Sequence, residues 1–260
     1  MYQLDHVVHY LERPEAETLK LKNHQLNVRN GGSHENRPTY NSLLHFGLSY
    51  VEFLSISNKE LLEALPHGES SMIQSIINRG YQEGFARFIL RTTDIYAVKE
   101  KLEKKGLVTE GPVVLQRKDQ NGELISWKLL FLKDPEGGLD LPYIIEWDEK
   151  DAARVQRLVR SGLLADTDNH SEKISQLNIV AKNPTELAAK WAYYFDVAYD
   201  EAKASVVSFS DFQIVFYSIE NVSETESNRL HNEQGIFEVI IDGIERDTLE
   251  FANGLYTFNK

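Results

Sequence analysis

One order of elements recurs along this chain: a short strand, a helix, then further strands. The first copy opens with Leu4-Asp-His-Val-Val-His-Tyr-Leu11, passes Pro14 into a helix-like stretch to about Asn27, and continues with strands Tyr40 to Phe46 and Ser49 to Ile56, with a short strand near Val28. The second opens with Phe85 to Arg91, runs through a helix Ile95 to Lys105 stopped by Gly106, and continues with Val113 to Arg117, Leu124 to Leu132 and Pro142 to Trp147. The third opens with Ile174 to Val180 and a helix from Pro184 to about Phe195, then Ser205 to Phe209 and Phe212 to Ile219. A fourth start, Gly235 to Ile241, leads only to Arg246–Ala252 and Leu255–Phe258. β-branched, apolar runs read as strands. Asp94 and Asn183 suit helix N-caps, Pro184 a first helical position, Gly106 a helix stop, and Asn121-Gly122 a hairpin turn. The expectation is an α+β protein of repeated βαβββ modules in curled mixed sheets, with an incomplete second lobe.

Between copies one and two, helices are expected around Leu61–Leu65 and Met72–Asn78. Between copies two and three, Glu149 onward reads as a charged helix, and the polar stretch 164–172 as the linker. The expected division is residues 1–165, holding two modules, and 172–260, holding a module and a truncated one.

Composition narrows the function. With 28 Lys+Arg against 40 Asp+Glu the net charge is −12, and no basic run is present, which argues against nucleic acid as a partner. The chain has no cysteine, so disulfides, thiolate metal sites and cysteine nucleophiles are excluded. No run of about 18 apolar residues exists to span a membrane, and the first residues lack signal-peptide character. A cytoplasmic protein is expected. Gly-x-Gly-x-x-Gly, P-loop and His-Glu-x-x-His patterns are absent, so nicotinamide, ATP and zincin readings have no support.

Leu4-Asp5-His6-Val7-Val8, Gly31-Gly32-Ser33-His34, Asn41 to Leu44, Phe46-Gly47 and Tyr50 to Leu54 together resemble the glyoxalase-like subfamily of the vicinal-oxygen-chelate superfamily, and Pro142 to Trp147 resembles the strand that closes its second module. The resemblance covers about residues 3–148 and is only a weak echo beyond Lys173. It implies paired βαβββ modules curling into an open cup. Metal-dependent members include glyoxalase I, extradiol dioxygenases, fosfomycin-resistance proteins and epimerases; bleomycin-resistance proteins bind ligands without metal.

In the metal-dependent families each module gives one ligand from its first strand and one from its last. By that resemblance His6, Glu52 and Glu146 are the candidate ligands of a divalent ion such as zinc, manganese, iron or nickel. The fourth position falls on Ala86, at a shift of 80 residues from His6, and Arg87 is expected to face away. Strand alternation places Leu4, His6, Val8 and Tyr10 on one face and Asp5, Val7 and His9 on the other. In the third module Gln176 and Val215 stand opposite His6 and Glu52, so no second metal site is expected there.

His34 and Asn41 fall on motif positions of the subfamily. His34, Glu52 and Glu146 are the candidate catalytic groups that move a proton. Tyr10, His34, Arg37 and Asn41 are the candidate substrate-binding residues, Arg37 as an anchor for an anion, and Gly31-Gly32 with 35–39 as a lid over the cup. The leading expectation is a small-molecule enzyme acting on a substrate with vicinal oxygens, possible chemistry being that of a lyase, isomerase or dioxygenase. The alternative is a metal-free binder of a small ligand. A homodimer is a candidate assembly.

Overall fold

The computed structural model describes residues 2–34, 37–68, 70–118, 124–164, 172–199, 205–230 and 233–260, with the side chains of 15–17 and 118 left aside. The first module is β1 (Gln3–Tyr10), α1 (Pro14–Asn23), β2 (Arg29–Ser33), β3 (Thr39–Phe46) and β4 (Ser49–Ile56); α2 (Lys59–Glu63) and α3 (Met72–Asn78) follow. The second is β5 (Gly84–Arg91), α4 (Ile95–Lys104), β6 (Val108–Lys118), β7 (Leu124–Lys133) and β8 (Tyr143–Trp147), followed by α5 (Asp151–Arg160). The third is β9 (Lys173–Val180), α6 (Pro184–Phe195), β10 (Ala198–Tyr199), β11 (Val206–Ser208) and β12 (Gln213–Tyr217), with α7 (Glu224–Ser227) after it. The fourth is β13 (Gly235–Asp242), β14 (Leu249–Phe251) and β15 (Gly254–Asn259), with no helix between its first two strands. The expected asparagine–glycine turn at 121–122 and the expected boundary at 165–171 lie outside the described residues. Local signals act as their chemistry dictates at Asp94, whose carboxylate accepts from Ala97 N at 3.0 Å and caps α4. Asn183 makes no such cap; its amide donates to Glu186 instead.

The strands form one sheet of order β2-β3-β4-β1-β5-β8-β7-β6 and a second of order β10-β11-β12-β9-β13-β15-β14. In each, the opening strand of a module runs parallel to its closing strand, and two opening strands meet antiparallel at the middle. This is the curled mixed-sheet architecture of the vicinal-oxygen-chelate fold. The first sheet curls far enough for its two edges to touch: Arg117 on β6 donates to the Gly31 carbonyl on β2 at 2.6 Å.

Register at the sheet centre shows how the modules correspond. Between Leu4 and His6 the pairing slips, leaving Asp5 as a bulge; between Arg87 and Phe85 it slips again at Ala86. His6 pairs with Ile89 and Val8 with Arg87, so a two-fold relation sets His6 against Arg87, 81 residues on. The second sheet repeats both slips, at Ser175 and at Phe237. The expected shift of 80 is therefore corrected by one. Ala86 corresponds to the bulge residue Asp5, and Arg87 shares the His6 face because paired residues point the same way.

The two faces of the first sheet are buried differently. Its outer face, with Val7, Leu90 and Ile144, shares one apolar core with α1, α4 and α6 and with the second sheet's Leu177, Val239 and Tyr256. Trp191 on α6 sits at this junction, its ring 5.9 Å from Phe88 of the first sheet and 5.2 Å from Phe216 of the second. Gly254 is required here: a Cβ on it would lie 2.8 Å from the His9 ring and 2.9 Å from Phe85. His9 is fully enclosed and neutral, pushed down to about 3 by burial; Tyr256 donates to its Nδ1 and its Nε2–H donates to the Ala252 carbonyl. The inner face is roofed by α2 and α3 at one end, through Leu62, Ile73 and Ile76, and by α5 at the other, through Leu158.

Because one core joins both sheets, unfolding in urea is expected as a single transition, and Trp191→Ala is expected to cost about 3–5 kcal/mol for loss of a buried ring. Two resolved transitions, with only the second moved by the substitution, would show that the sheets do not depend on each other.

Candidate functional site

The inner face of the first sheet carries a row of three charged side chains. His6 Nδ1 donates to Asp5 Oδ1 at 2.8 Å, and His6 Nε2 lies 3.4 Å from Glu52 Oε2. The bulge makes this row. With Asp5 extra in the strand, Asp5 and His6 both turn to the inner face, so the strict alternation expected for β1 fails at that point. Asp5 is fully buried and is held further by Arg154 Nη1 at 2.9 Å and Trp147 Nε1 at 2.8 Å. Glu52 accepts from Asn41 Nδ2 at 2.5 Å. Rings stack behind the row: His6 on Tyr50 at 4.5 Å, and Tyr50 on His45 at 4.7 Å.

The electrostatics follow from these contacts. Burial alone would raise Asp5, but the charges of Arg154, His6 and Arg91 outweigh it and hold the carboxyl well below its ordinary range. Burial would likewise raise Glu52; its bond to His6 and the nearby imidazoles pull it down to about 2. For His6, burial would lower the value, and the bonds to Asp5 and Glu52 reverse that, so the imidazolium is favoured. His34 is shifted the other way: burial lowers it more than the Glu52 charge raises it.

The expected residues separate into two groups. His6, Glu52 and Asn41 come together. His34 joins their rim: its Nδ1 bonds Thr39 Oγ1 at 2.8 Å and it feels the Glu52 charge. Arg37 lies exposed on the same loop, close enough to act on the His34 charge. Tyr10 does not face a ligand space; it is 1 % exposed, packed among the residues under α2 and α3. That corrects the expectation of a substrate-binding role. The lid positions 35–36 lie outside the described residues.

Glu146 is the larger correction. Trp147 faces inward, so its neighbour Glu146 faces outward, where Oε2 accepts from Ile95 N at 2.6 Å at the start of α4 and Oε1 accepts from Lys128 Nζ at 2.6 Å. It caps a helix on the side of the sheet away from His6. The position that corresponds to Glu52 is Tyr143, since Val8 pairs with Glu52 as Ile89 pairs with Tyr143. The four positions that would ring a metal are therefore His6, Glu52, Arg87 and Tyr143. Arg87 is a permanent cation whose guanidinium donates to Leu141 O and Asp140, and the Tyr143 hydroxyl is engaged by Ser70 O and Met72 N. Both nitrogens of His6 already face carboxylates. This donor set does not fit a divalent ion, and among the described residues no three His, Asp or Glu groups gather to hold one.

Asp5, Trp147 and Arg154 join the His6–Glu52 cluster although none was among the expected residues. Asp5 is placed by a bulge that has no sequence signature. Arg154 belongs to a helix that reads only as charged, yet it is 1 % exposed. Gly31 gives a retrospective signal: a Cβ there would lie 2.2 Å from Asn41 Oδ1, so only glycine lets β2 close against the residue that holds Glu52.

Stability should follow the two shifts with opposite signs. The part due to Glu52, lowered on folding, is present above its ordinary range and lost as pH falls toward 2. The part due to His6, raised on folding, is present below about 6.5 and lost as pH rises through the raised value. Glu52→Gln is expected to move the His6 titration, followed by NMR, down by at least about one pH unit; an unchanged midpoint would show that the two are not paired. Arg154→Ala, which strands Asp5 without its main counter-charge, is expected to cost about 3–5 kcal/mol, and Asp5→Asn in the same chain to recover part of it.

Comparison with known proteins agrees with this geometry at the level of the fold. A family model described as "Glyoxalase-like domain" matches residues 4–195. No curated protein matches the chain. A hypothetical protein from Staphylococcus aureus of known structure is 20% identical over 99% of both chains, with a TM-score of 0.83. Methylmalonyl-CoA epimerase from Mycobacterium tuberculosis is 18% identical over 58% of this chain and 91% of its own, with a TM-score of 0.41. A variant of the Streptomyces coelicolor epimerase in complex with 2-nitronate-propionyl-CoA is 15% identical over 56% and 98%, also with a TM-score of 0.41. The family match spans the first sheet and runs on through α6, and on that ground the chain belongs to the glyoxalase-like domain family.

Proposed function

We propose that this protein is a small-molecule enzyme whose His6–Glu52 pair moves a proton on a substrate with vicinal oxygens, the His6 imidazolium supplying the positive charge that a metal supplies in related folds. The observation that carries this reading is the row Asp5–His6–Glu52. Asp5 fixes the ring and its charge, as an orienting carboxylate does for a catalytic histidine. The 3.4 Å gap between His6 Nε2 and Glu52 is longer than the 2.7–2.9 Å of a closed charge-assisted bond. A substrate oxygen entering there accepts from Nε2–H. Glu52, relieved of its partner, regains basicity and takes the proton from the adjacent carbon. Proton abstraction beside a carbonyl, and hence isomerisation, is the reaction class. His34 and Arg37 on the rim would receive the substrate's second oxygen or its charge.

A binder without turnover is the second reading, favoured by the burial of the pair: His6 is 7 % exposed and Glu52 9 %. One experiment separates the two. Small hydroxyketones and 2-oxo acids, dihydroxyacetone and pyruvate among them, are incubated with the protein in D2O and exchange of the carbon-bound proton is followed by NMR. Exchange is expected from protein dialysed against EDTA, with His6→Gln and Glu52→Gln each slowing it by about 10²–10⁴. Binding without exchange would favour the binder. Exchange that vanishes on chelation and returns with a divalent ion would overturn the metal-free reading.

A further inference from the structure

The second sheet presents an inner face that differs in kind from the first. Its outer face is core, while the opposite face of β12, β9, β13 and β15 carries the polar residues Gln213, Gln176, Asn178, Glu238 and Thr257, most of them half-buried. Across that inner face runs an unbroken chain of side-chain hydrogen bonds that links β12, β9, β13 and β15. Gln213 Nε2 donates to Gln176 Oε1 at 2.5 Å, Gln176 Nε2 to Asn178 Oδ1 at 2.6 Å, Asn178 Nδ2 to Glu238 Oε2 at 2.5 Å, and Thr257 Oγ1 to Glu238 Oε1 at 2.6 Å. Asn178 is only 4 % exposed. Gln176 and Glu238 are the residues that follow the two bulges, so they occupy the places of His6 and Arg87 in the first sheet. By the same registers Thr257 stands where Tyr143 does, and Val215 where Glu52 does. Three of the four site positions of the fold are thus filled a second time by polar groups, an amide, a carboxylate and a hydroxyl.

A sheet face needed only to meet water gains little from amides bonded to one another, because water satisfies each of them singly. A chain of such bonds fixes rotamers and aims the remaining donors and acceptors. Each amide has a second N–H and each oxygen a further lone pair, so the amide rungs both donate and accept, while Glu238 only accepts. A groove of about 480 Å³ opens at the Gln213 end, with Gln176 and Gln213 in its wall beside Ser175 and Ser208. That volume is within the range of small-molecule sites. Its ionic groups are Lys173 against Asp211 and Asp242, an excess of negative charge that disfavours anions. Strands set about 4.8 Å apart let one ligand with several hydroxyls meet two or three rungs.

The geometry points to a second binding site on this face for a neutral polyhydroxylated ligand, a saccharide of one or two rings, held by Gln213 and Gln176 in the groove wall, with Asn178, Glu238 and Thr257 fixing their rotamers through the row. It is independent of the His6–Glu52 chemistry, being on the other sheet and facing away from it.

The test is binding of glucose, maltose and trehalose to the full chain by calorimetry and thermal shift, with inorganic phosphate and acetate alongside. Saturable binding of at least one saccharide is expected, weakened at least tenfold in Gln176→Ala/Gln213→Ala and retained in Glu52→Gln. Thr257→Val, which keeps the side-chain shape and removes the hydroxyl, is the second probe should the amide variant fail to fold, and it too is expected to weaken binding. No saturable binding by any of the three sugars, binding that survives the variants that fold, or binding of phosphate or acetate in place of the sugars would each overturn the assignment.

Discussion

A carboxylate with no exposed surface organises the first sheet. Asp5 would be costly to enclose alone, since an unpaired buried charge is among the most expensive things a fold can carry. Its partners therefore have to be in place whenever the protein is folded. They come from four elements: His6 from the same strand, Arg91 from β5, Trp147 from β8 and Arg154 from α5. Arg154 also lies 4.3 Å from the Trp147 ring, so the cation is held by charge and by aromatic face together. This single requirement seats α5 over the inner face, orients the His6 ring and sets the charge that Glu52 meets.

The bulges are the geometric counterpart of that requirement. One extra residue in each opening strand turns two consecutive side chains to the same side. In the first module these are a carboxylate and an imidazole; in the second they are Ala86 and Arg87; in the third and fourth, Ser175 with Gln176 and Phe237 with Glu238. The backbone device is retained through all four copies while its chemistry changes. Retention of a register slip across copies so different in side chain shows that the slip belongs to how this fold brings two opening strands together, not to any one site.

The repeat, the strand and helix order and the truncated fourth module were legible in the sequence, because they rest on apolar periodicity and on local signals such as Asp94. The family resemblance carried His6, Glu52 and Asn41 to the same place, and the structure brings them together. What failed did so by single residues. The shift between modules one and two was off by one, since a bulge adds a residue without altering the apolar pattern around it, and that error hid Arg87. Glu146 was assigned to the inner face where β8 turns Tyr143 and Trp147 inward, an error of odd spacing that reverses a side chain's face. Arg154 was invisible for another reason: a charged helix reads only as charged unless the carboxylate beneath it is known.

The absence of cysteine had already confined any metal to imidazole and carboxylate donors. The structure goes further along the same line. With Arg87 at the position related to His6 and Tyr143 at the position related to Glu52, the first sheet keeps the donors of one module and replaces those of the other with a cation and a committed hydroxyl. Half a ligand set does not bind half as well: the remaining imidazole and carboxylate, relieved of a shared cation, satisfy each other. Pairing raises His6 and lowers Glu52, so the positive charge at the centre of the cup resides on a ring that can give up its proton. A fixed Lewis acid polarises an oxygen and leaves proton transfer to a neighbour, whereas an imidazolium held between two carboxylates can do both. The substitutions in the second module therefore leave a centre whose charge depends on pH.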